Sequence, residues 1–348
     1  MTRIRSTLRA GIASAMLLFG AIAGADKAAA QAGVESFYHG KRIIFYIGYA
    51  PGGGYDTYAR LVARFMGRHI PGSPTIVPQN MPGGGTRVAA GYVFNVAPKD
   101  GTALGMADQS LPLQQAVGDK SISFDVNAFN YIGNPAADIN TVALWHTTGI
   151  RNLEDAKRTA VTIGATGPNT SSQIPLSINE ILGTKFQIVN GYPGGNEINL
   201  AMERGEVGGR ASAPLSSWKS TRPDWLRNRL INVIVQIGLA KSPELPDVPL
   251  LTDLAQNADD RAALQMISAP AAVGRPIFAP PGVPDDRVAA LRDAFDATMK
   301  DAEFLAAAKQ GDLDIAPVSG KDLQGIVAQI VNTPGSAAAR LAKIFQVQ

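Results

Sequence analysis

The chain of 348 residues contains no cysteine. That excludes disulfides, a lipid-modified N-terminal Cys, thiol catalysis and Cys-based zinc, so the fold must be held by its core. Histidine is scarce too: His39, His69 and His146 are scattered, without the helical spacing of a metal-binding pair. No Gly-x-Ser-x-Gly elbow occurs. Ser216-Ser-Trp-Lys219 fits Ser-x-x-Lys, but the companion Lys-Thr-Gly is missing. Neither an enzyme nor a metal or cofactor is therefore expected. Nucleotide-binding signatures fail as well. Gly52-Gly53-Gly54 is followed by Tyr55-Asp56 rather than Lys and Ser or Thr, and Gly52-x-Gly54-x-x-Thr57 lacks the third small residue of the dinucleotide fingerprint. No basic patch interleaved with aromatics points to nucleic acid.

The start of the chain carries its own signal. Arg3, Arg5 and Arg9 precede an apolar stretch from about Ala10 to Ala25, followed by Ala28-Ala29-Ala30. This order is that of a cleavable export signal at 1–30, cut after Ala30 or alternatively after Ala32, and it implies a periplasmic location. The stretch is short for a membrane span, and nothing later in the sequence reads as one. The formal charge of +3 comes from the same segment, where Arg3, Arg5, Arg9 and Lys27 oppose Asp26 alone. Without it the chain is near neutral, so its partners are not polyanions.

Strands and helices alternate along the remainder. The apolar run Ile43-Ile-Phe-Tyr-Ile47 meets Pro51 to Asp56 and then a helix-patterned segment carrying Leu61, Val62, Phe65 and Met66. Thr75–Gln79 reads as a strand, Met81 to Gly85 as a second glycine-rich turn, Thr86–Val96 as a helix and Thr102–Ala107 as a strand. A second set follows. Val161–Ala165 is a strand, Gly167–Ser172 a loop, Ile174–Leu182 a helix, Phe186–Val189 a strand, and Ile198–Arg204 a helix after Gly191–Asn196. Val207–Arg210 is extended and Leu230–Ile237 is a strand. Ala279 to Pro284 reads as a connection before an amphipathic helix over Asp285–Lys300. The pattern predicts an α/β fold with parallel, doubly wound sheets, whose ligands bind beyond the carboxyl ends of the strands.

Three loops at those ends precede helices. The first, with Gly53, Gly54, Tyr55 and Asp56, suits a small anion such as a carboxylate, because a helix N-terminus offers unpaired N–H groups and glycine permits close approach. The same loop could serve only as a tight turn. The second brings Thr170, Ser171 and Ser172 to a helix start, where one would suffice as a cap. The third, Tyr192 to Asn196, again sets glycines before a helix. Asp56 and Glu197 fall in first turns and oppose an anion there unless they act as capping acids. Arg210, in a small apolar setting at the end of an expected strand, suits either a bidentate pair with a carboxylate or an internal salt bridge. Tyr55, Tyr192 and Trp218 flank these loops, as ligand contacts or as core.

The ordered series Pro51-Gly-Gly-Gly-Tyr-Asp-Thr-Tyr-Ala-Arg-Leu61, Val77 to Gly85, Ala97-Pro-Lys-Asp-Gly-Thr102, Ala165 to Ser172 and Lys241 to Leu250 resembles the substrate-binding receptors of tripartite tricarboxylate transporters, the Bug family. The resemblance implies a two-domain type II periplasmic binding protein with its ligand in the cleft. Domain 1 is then 31–142 plus 236–348, and domain 2 is 143–235. It also implies that a small carboxylate, a dicarboxylate or an aromatic acid among the candidates, is held by backbone groups of Gly53 to Asp56. Asp108, Gln109, Thr170 to Ser172 and Tyr192 to Gly194 would complete the pocket. The implied partners are the integral membrane subunits of the transporter, met transiently by a monomer, or in a second reading a membrane sensor kinase. The chain departs from the family pattern at Tyr55, at Pro193 and in Gly209-Arg210-Ala211-Ser212.

Overall fold

The computed structural model describes residues 31–333 and 335–347, so the expected signal lies outside the described residues. None of the described helices is long and apolar enough to cross a membrane. Among the described residues eleven strands form two sheets: β1 (Arg42–Ile47), β2 (Thr75–Asn80), β3 (Ala103–Met106), β4 (Asn130–Asn134), β5 (Asn140–Trp145), β6 (Val161–Ala165), β7 (Phe186–Asn190), β8 (Gly209–Pro214), β9 (Ile231–Ile237), β10 (Ile277–Ala279) and β11 (Val318–Ser319). The first sheet runs β11-β4-β10-β3-β1-β2, the second β7-β6-β8-β5-β9. The chain thus leaves the first sheet once, after β4, and returns once, after β9.

In the first sheet β1 lies between parallel β2 and β3, with Ile47 opposite Asn80 and Met106. Both faces of β1 are covered, which is why it reads as an unbroken apolar run. Ile43, Phe45 and Ile47 pack on Val62, Phe65 and Met66 of the helix Gly54–Met66 and on Leu291 and Phe295 of Asp285–Thr298. Tyr46, on the opposite face, joins Ala90 and Val93 of Arg87–Asn95 and Leu323 and Val327 of Gly320–Val331. The helices Asp285–Thr298 and Gly320–Val331 thus cover opposite faces of the first sheet. In the second sheet β6 pairs in parallel with β7 and β8, while β5 runs antiparallel to both β8 and β9.

Four local expectations change. The helix before Leu182 starts at Thr170 instead of Ile174, with Asn169 as its cap and Pro175 inside it. The hydroxyl residues Thr170, Ser171 and Ser172 are thus its first turn rather than a loop. Arg210 is the second residue of β8, not the end of a strand, because the small residues Ala211, Ser212 and Ala213 continue the extended backbone. Ala279 ends β10, a three-residue strand in the middle of the first sheet, antiparallel to β3 and β4. The helix from Gly195 to Glu203 begins at the glycine itself.

Candidate functional site

The carboxyl ends of the parallel strands in the two lobes face each other. Ala50 N, after β1, donates to Pro193 O, after β7, at 3.0 Å. Between them lies a cavity of about 40 Å³, room for roughly three water molecules. Of the residues expected at a site, it brings together Gly53, Gly54, Tyr55, Asp108, Gln109, Thr170, Ser171 and Arg210. Asp56, Ser172, Tyr192 and Gly194 do not line it.

Two helices point their first turns at this region from opposite lobes. Gly54–Met66 follows Gly53 and Gly195–Glu203 follows Gly194, and neither has a side-chain cap. The two loops touch at van der Waals distance: a Cβ on Gly53 would lie 3.7 Å from Gly195 N. Two uncapped N-termini placed head to head concentrate positive potential. Arg210 adds a full charge. Its Nη1 donates to Gly195 O at 3.2 Å and Asn199 Oδ1 at 2.8 Å, and its guanidinium stands 5.0 Å from the Trp218 ring centroid. Burial pushes the guanidinium down to about 10, still cationic at neutral pH. Trp218 is therefore core, fully buried with Nε1 donating to Thr141 Oγ1, and it supports Arg210 rather than a ligand.

The other expected anion site is already occupied. Asp108, 1% exposed, comes from the first lobe onto the N-terminus of Thr170–Leu182. Its Oδ2 accepts from Tyr49 OH at 2.5 Å and Thr170 Oγ1 at 3.0 Å, and its Oδ1 from Ser110 N, Ser110 Oγ and Thr170 N at 2.9, 2.6 and 3.4 Å. Ser171 N goes to Asn169 Oδ1, and Ser172 Oγ to Gly167 O. Burial beside Asp108 pushes the Tyr49 phenol well up, so it stays a neutral donor. Gln109 Nε2 donates to Asn140 Oδ1 at 3.0 Å.

Asp56 serves its own loop. Its carboxylate accepts from Gly52 N at 2.9 Å, Arg60 Nε at 2.8 Å and Asn80 Nδ2 at 2.8 Å. Tyr192 lines an adjoining pocket of about 220 Å³ with the Gly83–Gly85 turn, and the two spaces share Tyr49 and Thr166. The sequence does not single out Tyr49 or Thr166, gives Gly195 only within the third loop and Ser212 only within the departure at Gly209 to Ser212, and flags Ser217 only inside Ser-x-x-Lys. In the fold that motif makes no Ser–Lys pair: Lys219 Nζ is held by Glu244 and Asp314 at 3.1 and 2.8 Å. Among the described residues no His, Cys, Asp and Glu cluster could hold a metal.

No protein-family model matches the sequence, and no curated protein matches it. Solved structures do. The chain is similar to the periplasmic binding protein BugD (TM-score 0.68, 19% identity, 88% of this chain and 98% of that one). It is similar to Rhodopseudomonas palustris Rpa4515 with adipate (0.68, 16%, 88% and 98%) and to MatC from Rhodopseudomonas palustris with bound malate (0.68, 18%, 87% and 99%). The order β2-β1-β3-β10-β4 and its counterpart β7-β6-β8-β5-β9 thus belong to a two-lobed α/β fold, that of the periplasmic binding proteins.

Proposed function

We propose that this chain is an extracytoplasmic solute receptor of the Bug type, which captures a small carboxylate and delivers it to the membrane subunits of a tripartite tricarboxylate-type transporter. It acts as a monomer and without catalysis. The carrying observation is the convergence of two uncapped, glycine-headed helix N-termini on one buried cavity beside Arg210, since such an arrangement favours an anion. The adipate and malate of the two Rhodopseudomonas palustris structures support a carboxylate as that anion. Domain 1 is assigned to 31–142 plus 236–348 and domain 2 to 143–235, with export through the signal at 1–30.

The ligand carboxylate sits against the N–H groups following Gly53, with Arg210 at its side. A cavity of about 40 Å³ is too small for a whole dicarboxylate, so the body of the acid extends past Tyr49 and Thr166 into the adjoining pocket and the lobes adjust around it. A thermal-shift screen against mono-, di- and tricarboxylates, with neutral sugars as controls, tests this: an acid that binds only the folded state raises the midpoint with concentration. A shift with sugars and none with any acid would refute it.

A further inference from the structure

Among the described residues, Arg275 is the largest fully buried charged side chain, and it lies outside the site described above. It is 1% exposed, just before β10 in the first lobe, with its N–H held by Asn134 Oδ1 at 3.0 Å. Its Nη2 reaches the helix Leu215–Thr221, donating to Ser216 Oγ at 2.8 Å and Ser217 Oγ at 3.1 Å. Asp138 Oδ2 lies 3.8 Å away, and the guanidinium covers the Tyr58 ring at 4.2 Å and the Tyr55 ring at 5.6 Å. Nε and Nη1 have no hydrogen-bond partner. A buried cation with two idle donors is costly. What it secures is the orientation of two hydroxyls, one of which, Ser217, lines the ligand cavity against Gly54.

We propose that Arg275 is a positioning residue of the ligand site: by donating to Ser217 Oγ it leaves that hydroxyl's single proton for an acceptor in the cavity. A serine hydroxyl has one proton and two lone pairs. With one lone pair taken by Nη2, the hydroxyl keeps its proton for the cavity, and a donor is what a carboxylate needs. Arg275 itself does not line the cavity. This inference rests on the carboxylate reading and adds to it the residue that gives Ser217 its polarity.

The absence of any other cysteine makes the contact directly readable in the protein alone. In Ser217→Cys the thiol should titrate about one pH unit or more below the same thiol in Ser217→Cys/Arg275→Gln, because a guanidinium donating to sulfur favours the thiolate. The comparison within one site cancels the shared effects of the helix N-terminus and of Asp138. Equal values in the two proteins, or a single-variant thiol at or above about 8.5, would overturn the proposal. Should Arg275→Gln fail to fold by circular dichroism, Arg275→Met replaces it, and if that also fails the single variant decides on the same threshold. With malate or adipate as probe, Arg275→Gln and Ser217→Ala should each weaken binding about tenfold. The double variant should be no weaker than either, and additive losses would count against the coupling. If neither acid binds the wild type, the choice of ligand fails while the thiol titration still decides the role of Arg275.

Discussion

Adding one methyl group at Gly54 should uncouple folding from ligand capture. Gly54 opens its helix at the mouth of the cavity, and its φ lies outside the left-handed range, so the local backbone accepts alanine. The obstacle lies across the cleft. A Cβ at Gly54 would stand 2.9 Å from Ser217 Cβ and closer still to Ser217 Oγ, a separation real Cβ atoms do not show. Overpacking of this kind costs about 1–3 kcal/mol. In the proposed two-domain division, Gly54 and Ser217 belong to different domains, so separating the lobes removes the contact and only the closed arrangement bears the cost; a ligand shifts the equilibrium only by its preference for one arrangement. Gly54→Ala should therefore bind about 5- to 160-fold more weakly, and Gly54→Val, with two further methyls, should lose measurable binding. Calorimetric titration with the acid found by the thermal-shift screen gives the affinities, and circular dichroism confirms that the variants fold. A folded Gly54→Ala that binds as tightly as wild type would refute both the clash and the placement of the site.

Arg210→Ala should weaken binding by about 1.5–3 kcal/mol in the same titration, and Arg210→Lys should not restore it, because a point ammonium cannot reproduce the fork that spans Gly195 O, Asn199 and a carboxylate. Asp108→Asn should destabilise the protein by about 1–3 kcal/mol in urea melts, since it places an amide donor among the donors Tyr49, Ser110 and Thr170; an unchanged midpoint would show that this network is slack. For Asp56, burial alone would raise the carboxyl, but the hydrogen bonds from Arg60, Gly52 N and Asn80 outweigh it and the net shift is downward. Its stabilisation is thus full above the unfolded value of about 3.9 and fades as pH falls through the lower folded one. The stability difference between wild type and Asp56→Asn should accordingly be large at pH 7 and shrink below about pH 4 in urea melts.

Element type was legible wherever a strand or helix was long and strongly patterned. β1 and β6 announce themselves because both faces are covered and few polar residues interrupt them. β10 does not: three residues, Ile277, Phe278 and Ala279, lead into prolines that read as a connection, and only the pairing with β3 and β4 makes them a strand. The start of Thr170–Leu182 was obscured by Pro175, which usually marks a first turn but here stands inside the helix. For the site, the glycines of the first loop and Arg210 were readable from residue type and position. The contacts between the lobes were not. Ser217 and Gly195 matter because of what they face, and sequence spacing carries no information about contacts between residues 54 and 217. Arg275 followed a glycine and preceded a proline, which reads as a turn rather than a buried charge.

The three helix N-termini at the cleft are treated differently, and this difference supports the proposed place of the ligand at the first loop. Thr170–Leu182 is satisfied from within: Thr170 N and Oγ1 bind Asp108, Ser171 N binds Asn169, and nothing in that turn awaits an external anion. Asp108, two residues after β3, thus joins one lobe to the helix Thr170–Leu182 of the other and takes the place that an external carboxylate would have at that N-terminus. Gly54–Met66 and Gly195–Glu203 are left uncapped instead, though at Gly53 a serine, threonine or asparagine would have both the extended backbone of a cap and room for its Cβ. Such a cap is predicted to compete with the ligand. Gly53→Ser should raise stability in the absence of acid while weakening acid binding, a pairing of opposite signs that a purely structural loop would not produce. If Gly53→Ser stabilises the protein and binding improves or stays unchanged, the first loop caps its helix in the ordinary way and the anion is held elsewhere.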